Sequence, residues 1–436
     1  MFAKGFISLL AGFSATLVNA QSYTSYFTGD TVDVVTDALP GTVLMGGATE
    51  NDNAMRWFLE RADGGDVVVI RASGEDGYND YFYSELGVTI NSVETIVFNN
   101  EDAAADPYVI AQIRNAEALW IAGGDQWDYV SYWKDNEIEL AINYLINEKH
   151  ITVGGTSAGS AIQGDAYFSA ENGTVYNGDA LNDPYDEKVT LGFDDFLEND
   201  QLVHVITDTH FDNPDRRGRF ITFIGRLTTD FGFPFKGIAC EEYTAVCIDE
   251  NNIGHAYGSY PAEDDYVYFA MVNCVGDQKP DTCVAGVPLD WHDPEAMKVV
   301  KFPATENGIN TFDLNDWKSC TGEFDWENWW VETGTFKYST EASPINCDGT
   351  ESILNNNANM ILIYPDPAKE FTTIRFPDDH TIRLIQIYNA AGQLLESGEP
   401  NGKTLVVDTA NWPAGNYVVK IIGDALYKCG QFVKLN

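Results

Sequence analysis

Ile151-Thr152-Val153-Gly154-Gly155-Thr156-Ser157-Ala158-Gly159-Ser160 decides the reading of this chain. A short apolar strand runs into a turn built from glycine, threonine, serine and alanine, which leave room where larger side chains would collide. Glycines on both sides of Ser157 permit unusual backbone angles and let a helix begin immediately behind the hydroxyl. Such an elbow lifts a serine clear of a sheet edge, with backbone N–H groups beside it. That arrangement suits an attacking nucleophile, and a Gly-rich strand-to-helix turn with an incidental serine is the bland alternative.

The pattern around the elbow gives the fold class. Thr42-Val43-Leu44-Met45, Asp66-Val67-Val68-Val69-Ile70, Glu94-Thr95-Ile96-Val97-Phe98 and Ala118-Leu119-Trp120-Ile121 read as buried strands. Between them, 51–62, 107–116 and one long segment over 128–148 read as helices. Continuous apolar strands alternating with amphipathic helices predict an α/β architecture, a doubly wound, mostly parallel sheet covered on both faces. Ligands in such sheets sit at the carboxyl ends of the strands. Gly46-Gly47, Gly123-Gly124 and Gly154-Gly155 all fall at such ends, so three glycine turns are expected to converge on one crevice.

From about residue 237 short alternating strands and aromatics predict a β-rich extension of the same domain. Its Trp326, Trp329 and Trp330 are read as packing residues before an aromatic sugar platform. Residues 346–358, with Asn355-Asn356-Asn357, read as a linker. Beyond it, 359–436 has period-two strands such as Ile382 to Tyr388 and Asn416 to Ile421, predicting a small antiparallel β-sandwich. The catalytic domain is therefore placed at 21–345.

Composition bounds the function. The chain has 436 residues, a net charge of −42 and 44% hydrophobic residues, which describes a folded acidic protein. That charge repels phosphates, so nucleic acid is excluded as a partner, and docking on an anionic membrane is disfavoured. Lys4, the apolar run Phe6 to Val18 and the small residue Ala20 read as an export signal over 1–20, cleaved near Ala20. Seven cysteines fit an oxidising setting. Cys274 with Cys283, and Cys320 with Cys347, are the loop-closing pairs suggested by spacing. No CxxC pair or His/Cys cluster has zinc spacing, so neither a metal nor another cofactor is expected.

A serine nucleophile needs a base, an orienting acid and N–H donors for the oxyanion. His210 ends the strand-like run Leu202 to Thr209 and is the chosen base, whereas His204 within that run reads as a core residue. The backbone N–H groups of Gly124 and Ala158 are the candidate oxyanion donors. Asp125 reads as a helix cap beside that turn. Glu171 is the preferred orienting acid and Asp165 the second choice.

The ordered set GGATEN at 46–51, GGDQ at 123–126, GGTSAGS at 154–160, DTHF at 208–211 followed by RRGR, and EEYTAV at 241–246 resembles the cyanophycinase branch of the S51 serine peptidases, which also includes dipeptidase E. The resemblance covers roughly 40–260. It implies a fold like class I glutamine amidotransferases, Ser157 as nucleophile, His210 as base, and substrate contacts from Asp125, Gln126 and Arg219. It implies hydrolysis of peptide or isopeptide bonds next to aspartate, in β-aspartyl-arginine chains or aspartyl dipeptides, with a peptide substrate that is cationic or β-aspartyl. The family pattern has Gln directly before the histidine where this chain has Thr209, a departure that bears on β-aspartyl-arginine specificity and not on serine chemistry. The C-terminal module, through Tyr364-Pro365-Asp366-Pro367, Gly415-Asn416-Tyr417 and Phe432-Val433-Lys434, is similar to the sorting domain of the type IX secretion system of Bacteroidetes. That similarity implies the secretion machinery as a partner and a secreted or surface location. An α/β-hydrolase esterase, which shares the G-x-S-x-G pattern, and a non-catalytic binding protein on the same scaffold are the competing readings. A homodimer is left open.

Overall fold

In the computed structural model, residues 21–275, 278–340 and 342–347 are described, together with 362–364, 368, 371–375, 382–389, 393–398, 404–423 and 427–434 of the C-terminal part. The export-signal reading and the Asn355 to Asn357 linker residues lie outside these. The strands form where the apolar runs predict them: β1 Tyr23–Gly29, β2 Gly41–Met45, β3 Asp66–Arg71, β4 Ser92–Phe98, β5 Ala118–Ile121 and β6 Thr152–Thr156. Strands β4, β3, β5, β6 and β2 lie side by side in that order, all parallel, while β1 closes the edge antiparallel to β4. Side-chain alternation along β3 shows both faces covered. Val68 and Ile70 join one apolar cluster with Phe98, Trp133 and Ile138, whereas Val67 and Val69 join another with Phe58, Phe82 and Trp120.

Helices α1 Asp52–Glu60, α2 Gly77–Asp80, α3 Pro107–Asn115, α4 Gln126–Trp133 and α5 Glu137–Tyr144 flank this sheet. The long helix expected over 128–148 is a correction: it is broken into α4, α5 and a closing π-turn Leu145–Lys149. Asp135 takes a left-handed φ of 60°, and the Asn136 side chain then accepts from Ile138 N–H as a new N-cap. The short helix α6 Ala158–Ala161 follows the elbow.

The parallel order ends at β2. Strands β11 Ala245–Ile248 and β12 Ile253–Tyr260 continue the sheet antiparallel, making it mixed and ten-stranded with two short edge strands. A second sheet of eight strands is built around β9 Val205–Asp208, β10 Lys236–Cys240 and β13 Tyr266–Val272, with β9 and β10 parallel. The two sheets meet through one apolar cluster that draws Leu44, Val246 and Phe312 from the first and Val205, Ile238, Phe269 and Phe302 from the second. Trp326 and Trp329 are buried packing residues.

The disulfide pairing expected from spacing is also corrected. Cys274 bonds Cys347, and Cys283 and Cys320 are free thiols. A short loop between Cys274 and Cys283 offered the nearer partner in sequence, but the β-rich packing brings Cys347 back against the same cluster as Cys274. In the C-terminal part, a three-stranded and a four-stranded antiparallel sheet enclose Ile374, Ile385, Ile387, Val407, Tyr417, Val419 and Ile421.

Arg219 sits in helix α8, Arg217–Phe231, whose preceding α7 spans Asn177–Asn182. Its Nε donates to Asp208 Oδ2 at 2.9 Å and its Nη2 to Asp208 Oδ1, and both side chains are 3% exposed. Removing the cation strands a buried carboxylate at the end of β9. Arg219→Met is therefore expected to lower unfolding free energy by about 3–5 kcal/mol, as read by urea denaturation, with Asp208→Asn restoring part of that loss in the double variant.

Candidate active site

Each member of the site follows the carboxyl end of a parallel strand. Ser157 directly follows β6 and adopts φ 51°, ψ −116°, the sparsely populated conformation of a nucleophile elbow. Its N–H donates to Met45 O at 3.1 Å, so the elbow is tied to the end of β2. His210 follows β9, also with positive φ, and its N–H donates to Gly46 O at 2.8 Å. Glu242 follows β10, the parallel neighbour of β9. Gly46 is what lets these segments touch: a Cβ there would lie 1.9 Å from Glu241 O. Gly47, at φ 112°, lies beneath the imidazole, where a Cβ would stand 2.4 Å from His210 Nε2.

Ser157 Oγ is 2.8 Å from His210 Nε2, and His210 Nδ1 is 2.7 Å from Glu242 Oε1. An ionised carboxylate only accepts, so Nδ1 carries the proton and Nε2 is left to accept from the Ser157 hydroxyl. The hydrogen bond from His210 holds the Glu242 carboxyl below its usual range, against the opposing effect of burial; Asn213, the imidazole charge and the Arg216 charge add to the lowering. Asn213 Nδ2 donates to Glu242 Oε2 at 3.2 Å, fixing the carboxylate plane.

Neither acid expected from the sequence reaches His210. Glu171 lines a separate cavity of about 580 Å³ with Trp127, Lys134 and Asp195. The Asp165 carboxylate accepts the His204 N–H at 2.8 Å and is buried at the foot of β9. Glu242 lies well beyond the segment after the elbow in which the sequence pattern places the acid. The usable signal is topological: β9 and β10 are parallel neighbours, so residues just past their ends face one another.

The remaining expectations divide. Ala158 opens α6, so its N–H has no intrahelical acceptor. Tyr129 Oη donates to Gly123 O at 3.0 Å, which turns the N–H of Gly124 the opposite way across a trans peptide. Gly123 itself lines the Ser157 cavity. Asp125 caps α4 by accepting from Trp127 N–H, and Gln126 Nε2 donates to Phe168 O at 3.3 Å. Arg219 is consumed by Asp208 and is corrected from a substrate contact to a buried structural cation. The cavity at Ser157 and His210 has a volume of about 610 Å³ and is lined further by Glu50, Arg71, Tyr78, Tyr81 and Glu85. It shares Glu50 with a groove of about 1140 Å³ that runs past Glu242 between Asp212, Glu263, Asp264 and Asp265. Among the described residues, no group of three or more His, Cys, Asp or Glu side chains is arranged to hold a metal ion.

Comparison with known proteins finds relatives of both parts of the chain. Residues 70–255 match the model of Peptidase family S51, and residues 362–434 match the secretion system C-terminal sorting domain. The latter match indicates delivery to the cell surface or medium through type IX secretion. A cyanophycinase from Synechococcus elongatus is 22% identical over 193 residues, covering 43% of this chain and 56% of the relative. The chain thus spans little more than half the length of that relative. Among solved structures, a peptidase from an acI-B1 Actinobacterium has a TM-score of 0.40 at 12% identity, covering 64% of this chain and 98% of its own. A protein assigned as a peptidase E from Listeria monocytogenes EGD-e has a TM-score of 0.31 at 16% identity, covering 51% of this chain and 100% of its own.

Two predictions follow from the site. Glu242→Gln is expected to lower kcat about 10⁴-fold, because the imidazole loses its tautomeric restraint, while Glu171→Gln and Asp165→Asn keep the Ser157–His210 pair. Equal losses in Glu242→Gln and Glu171→Gln under steady-state assay contradict the assignment. Next to it, buried Glu241 accepts from Tyr268 Oη and Tyr266 N–H at 2.8 Å each, and burial pushes its carboxyl up to about 7. A raised folded value means stability present below the ordinary 4.5 and lost as pH rises through about 7. Thermal unfolding between pH 5 and 8 is expected to show that fall, and Glu241→Gln to flatten it.

Proposed function

We propose that this chain is an exported serine peptidase that cleaves peptide or isopeptide bonds next to aspartate through an acyl-enzyme. The observation that carries this reading is the continuous hydrogen-bonded line from Ser157 Oγ through His210 to Glu242, with the serine on a left-handed elbow. His210 Nε2 takes the hydroxyl proton as Oγ attacks the carbonyl carbon. Glu242 stabilises the imidazolium, and the N–H groups of Ala158 and Gly124 receive the oxyanion. The imidazolium then gives its proton to the leaving amine. Water then attacks the acyl carbon as His210 Nε2 takes its proton, and the imidazolium returns that proton to Ser157 Oγ as the Oγ–acyl bond breaks and the acid leaves.

The S51 match supports the peptidase class, and the sorting match supports export. The carboxylates of Asp212, Glu263, Asp264 and Asp265 along the adjoining groove favour a leaving segment of positive charge. Signal cleavage near Ala20 and a catalytic domain over 21–345 complete the proposal.

Ser157→Ala is expected to reduce kcat by about a millionfold with an unchanged melting profile. The release assay compares a β-aspartyl-arginine polymer, aspartyl dipeptides and a nitrophenyl ester. Turnover of the ester alone, or retained peptidase activity in Ser157→Ala, would falsify the proposal.

A further inference from the structure

The cavity in front of Ser157 carries one guanidinium that the catalytic groups do not use. Arg71 is the last residue of β3, and the register runs Ile70 to Ile121 to Gly155 across β3, β5 and β6. Arg71 is thus level with Thr156, two strand spacings or roughly 10 Å from the elbow. Arg71 and Ser157 line the same cavity of about 610 Å³.

The head is held in place before any substrate arrives. Its Nε donates to Ser73 O, and its Nη1 donates to Glu75 O at 3.2 Å. The loop closes around it at Gly74, with φ 96°, where a Cβ would stand 2.4 Å from Nη2. Only a residue without a side chain lets the loop approach so closely. Nη2 has no protein acceptor among the described residues. Arg56, Arg61, Arg217, Arg219 and Arg226 each lie in an ion pair, whereas Arg71 lies in none among the described residues. The same cavity presents Glu50, fixed by the Tyr78 hydroxyl, which donates to its Oε1, while Arg71 faces the ring of that tyrosine at 5.9 Å.

We infer that Arg71 sets acyl-side specificity by receiving the side-chain carboxylate of an N-terminal acidic residue, while Glu50 takes that residue's free ammonium group. The inference rests on the serine peptidase reading and names the groups that make it selective. A guanidinium and a carboxylate lining one cavity match a substrate residue that carries both charges. A guanidinium with a pre-formed fork binds a carboxylate more selectively than a mobile ammonium does.

The test uses aspartyl, asparaginyl and N-acetyl-aspartyl aminocoumarin amides, which carry no C-terminal carboxylate. Wild type, Arg71→Met and Glu50→Gln are compared by kcat/KM, and Ser157 is titrated separately with a fluorophosphonate. Wild type is expected to prefer aspartyl to asparaginyl substrate by about 100-fold. Arg71→Met is expected to erase that preference by lowering only the aspartyl value, with fluorophosphonate labelling unchanged. Glu50→Gln is expected to raise KM for the free-amine substrate and to leave the acetylated one unaffected. Equal losses on aspartyl and asparaginyl substrates, or no preference in wild type, overturn the role of Arg71 while labelling of Ser157 still upholds the nucleophile. Absent labelling of wild type overturns both.

Discussion

The site depends on the absence of two side chains. Gly46 and Gly47 form the junction at which the first sheet meets the second: Gly46 O accepts from His210 N–H, Gly46 N–H donates to Thr244 O, and Gly47 O accepts from Tyr243 N–H. Just before them, Met45 O accepts from Ser157 N–H. Four backbone hydrogen bonds thus bring the nucleophile, the base and the acid, which come from three separate strand ends, into one line. Any Cβ at Gly46 or Gly47 would push against the Glu241 carbonyl or the His210 ring. Since a catalytic hydrogen bond is set to within a few tenths of an ångström, such a push acts on chemistry before it acts on folding.

The same junction explains which parts of the molecule were legible in the sequence. Strands β2 to β6 were readable because parallel strands buried on both faces are apolar throughout, and the elbow because serine between glycines has few other uses. Strand order within the second sheet was not readable. Glu242 faces His210 through the parallel register of β9 and β10, a property of strand order that no local pattern records. Arg219 failed for a related reason. A basic run beside a histidine looks like a substrate contact, yet α8 turns Arg219 inward to neutralise Asp208 at the end of β9. Spacing along the chain pairs Cys347 with Cys320, whereas packing against the inter-sheet cluster brings it to Cys274.

Charge and location fit together through the same physics. A chain of net charge −42 repels itself, and salt in an external medium screens that repulsion within about 10 Å. Buried carboxylates are then kept where a specific donor meets them: Glu241 by two tyrosine-derived donors, Asp208 by Arg219, Glu117 by Lys149 at 3.0 Å. Other carboxylates line the groove past Glu242, Asp212 accepting from Glu242 N–H and Asp265 from Ser259 N–H, where they act on whatever enters.

Backbone strain is also present at the point of contact. Ala48, Ser157, His210 and Tyr243 all have positive φ without being glycine, and each flanks the catalytic line. Positions of this kind cost on the order of 1–3 kcal/mol each and persist only where their surroundings over-determine them. Here the surroundings are the inter-sheet hydrogen bonds and the apolar cluster of Leu44, Val246, Ile238 and Phe269 directly behind them. Relaxing Ser157 into an ordinary helical or extended conformation would carry its Oγ away from His210 and its N–H away from Met45 O in one movement. The strain is therefore inseparable from the alignment, and the two-sheet core behind the elbow is the part of the fold that makes the alignment durable.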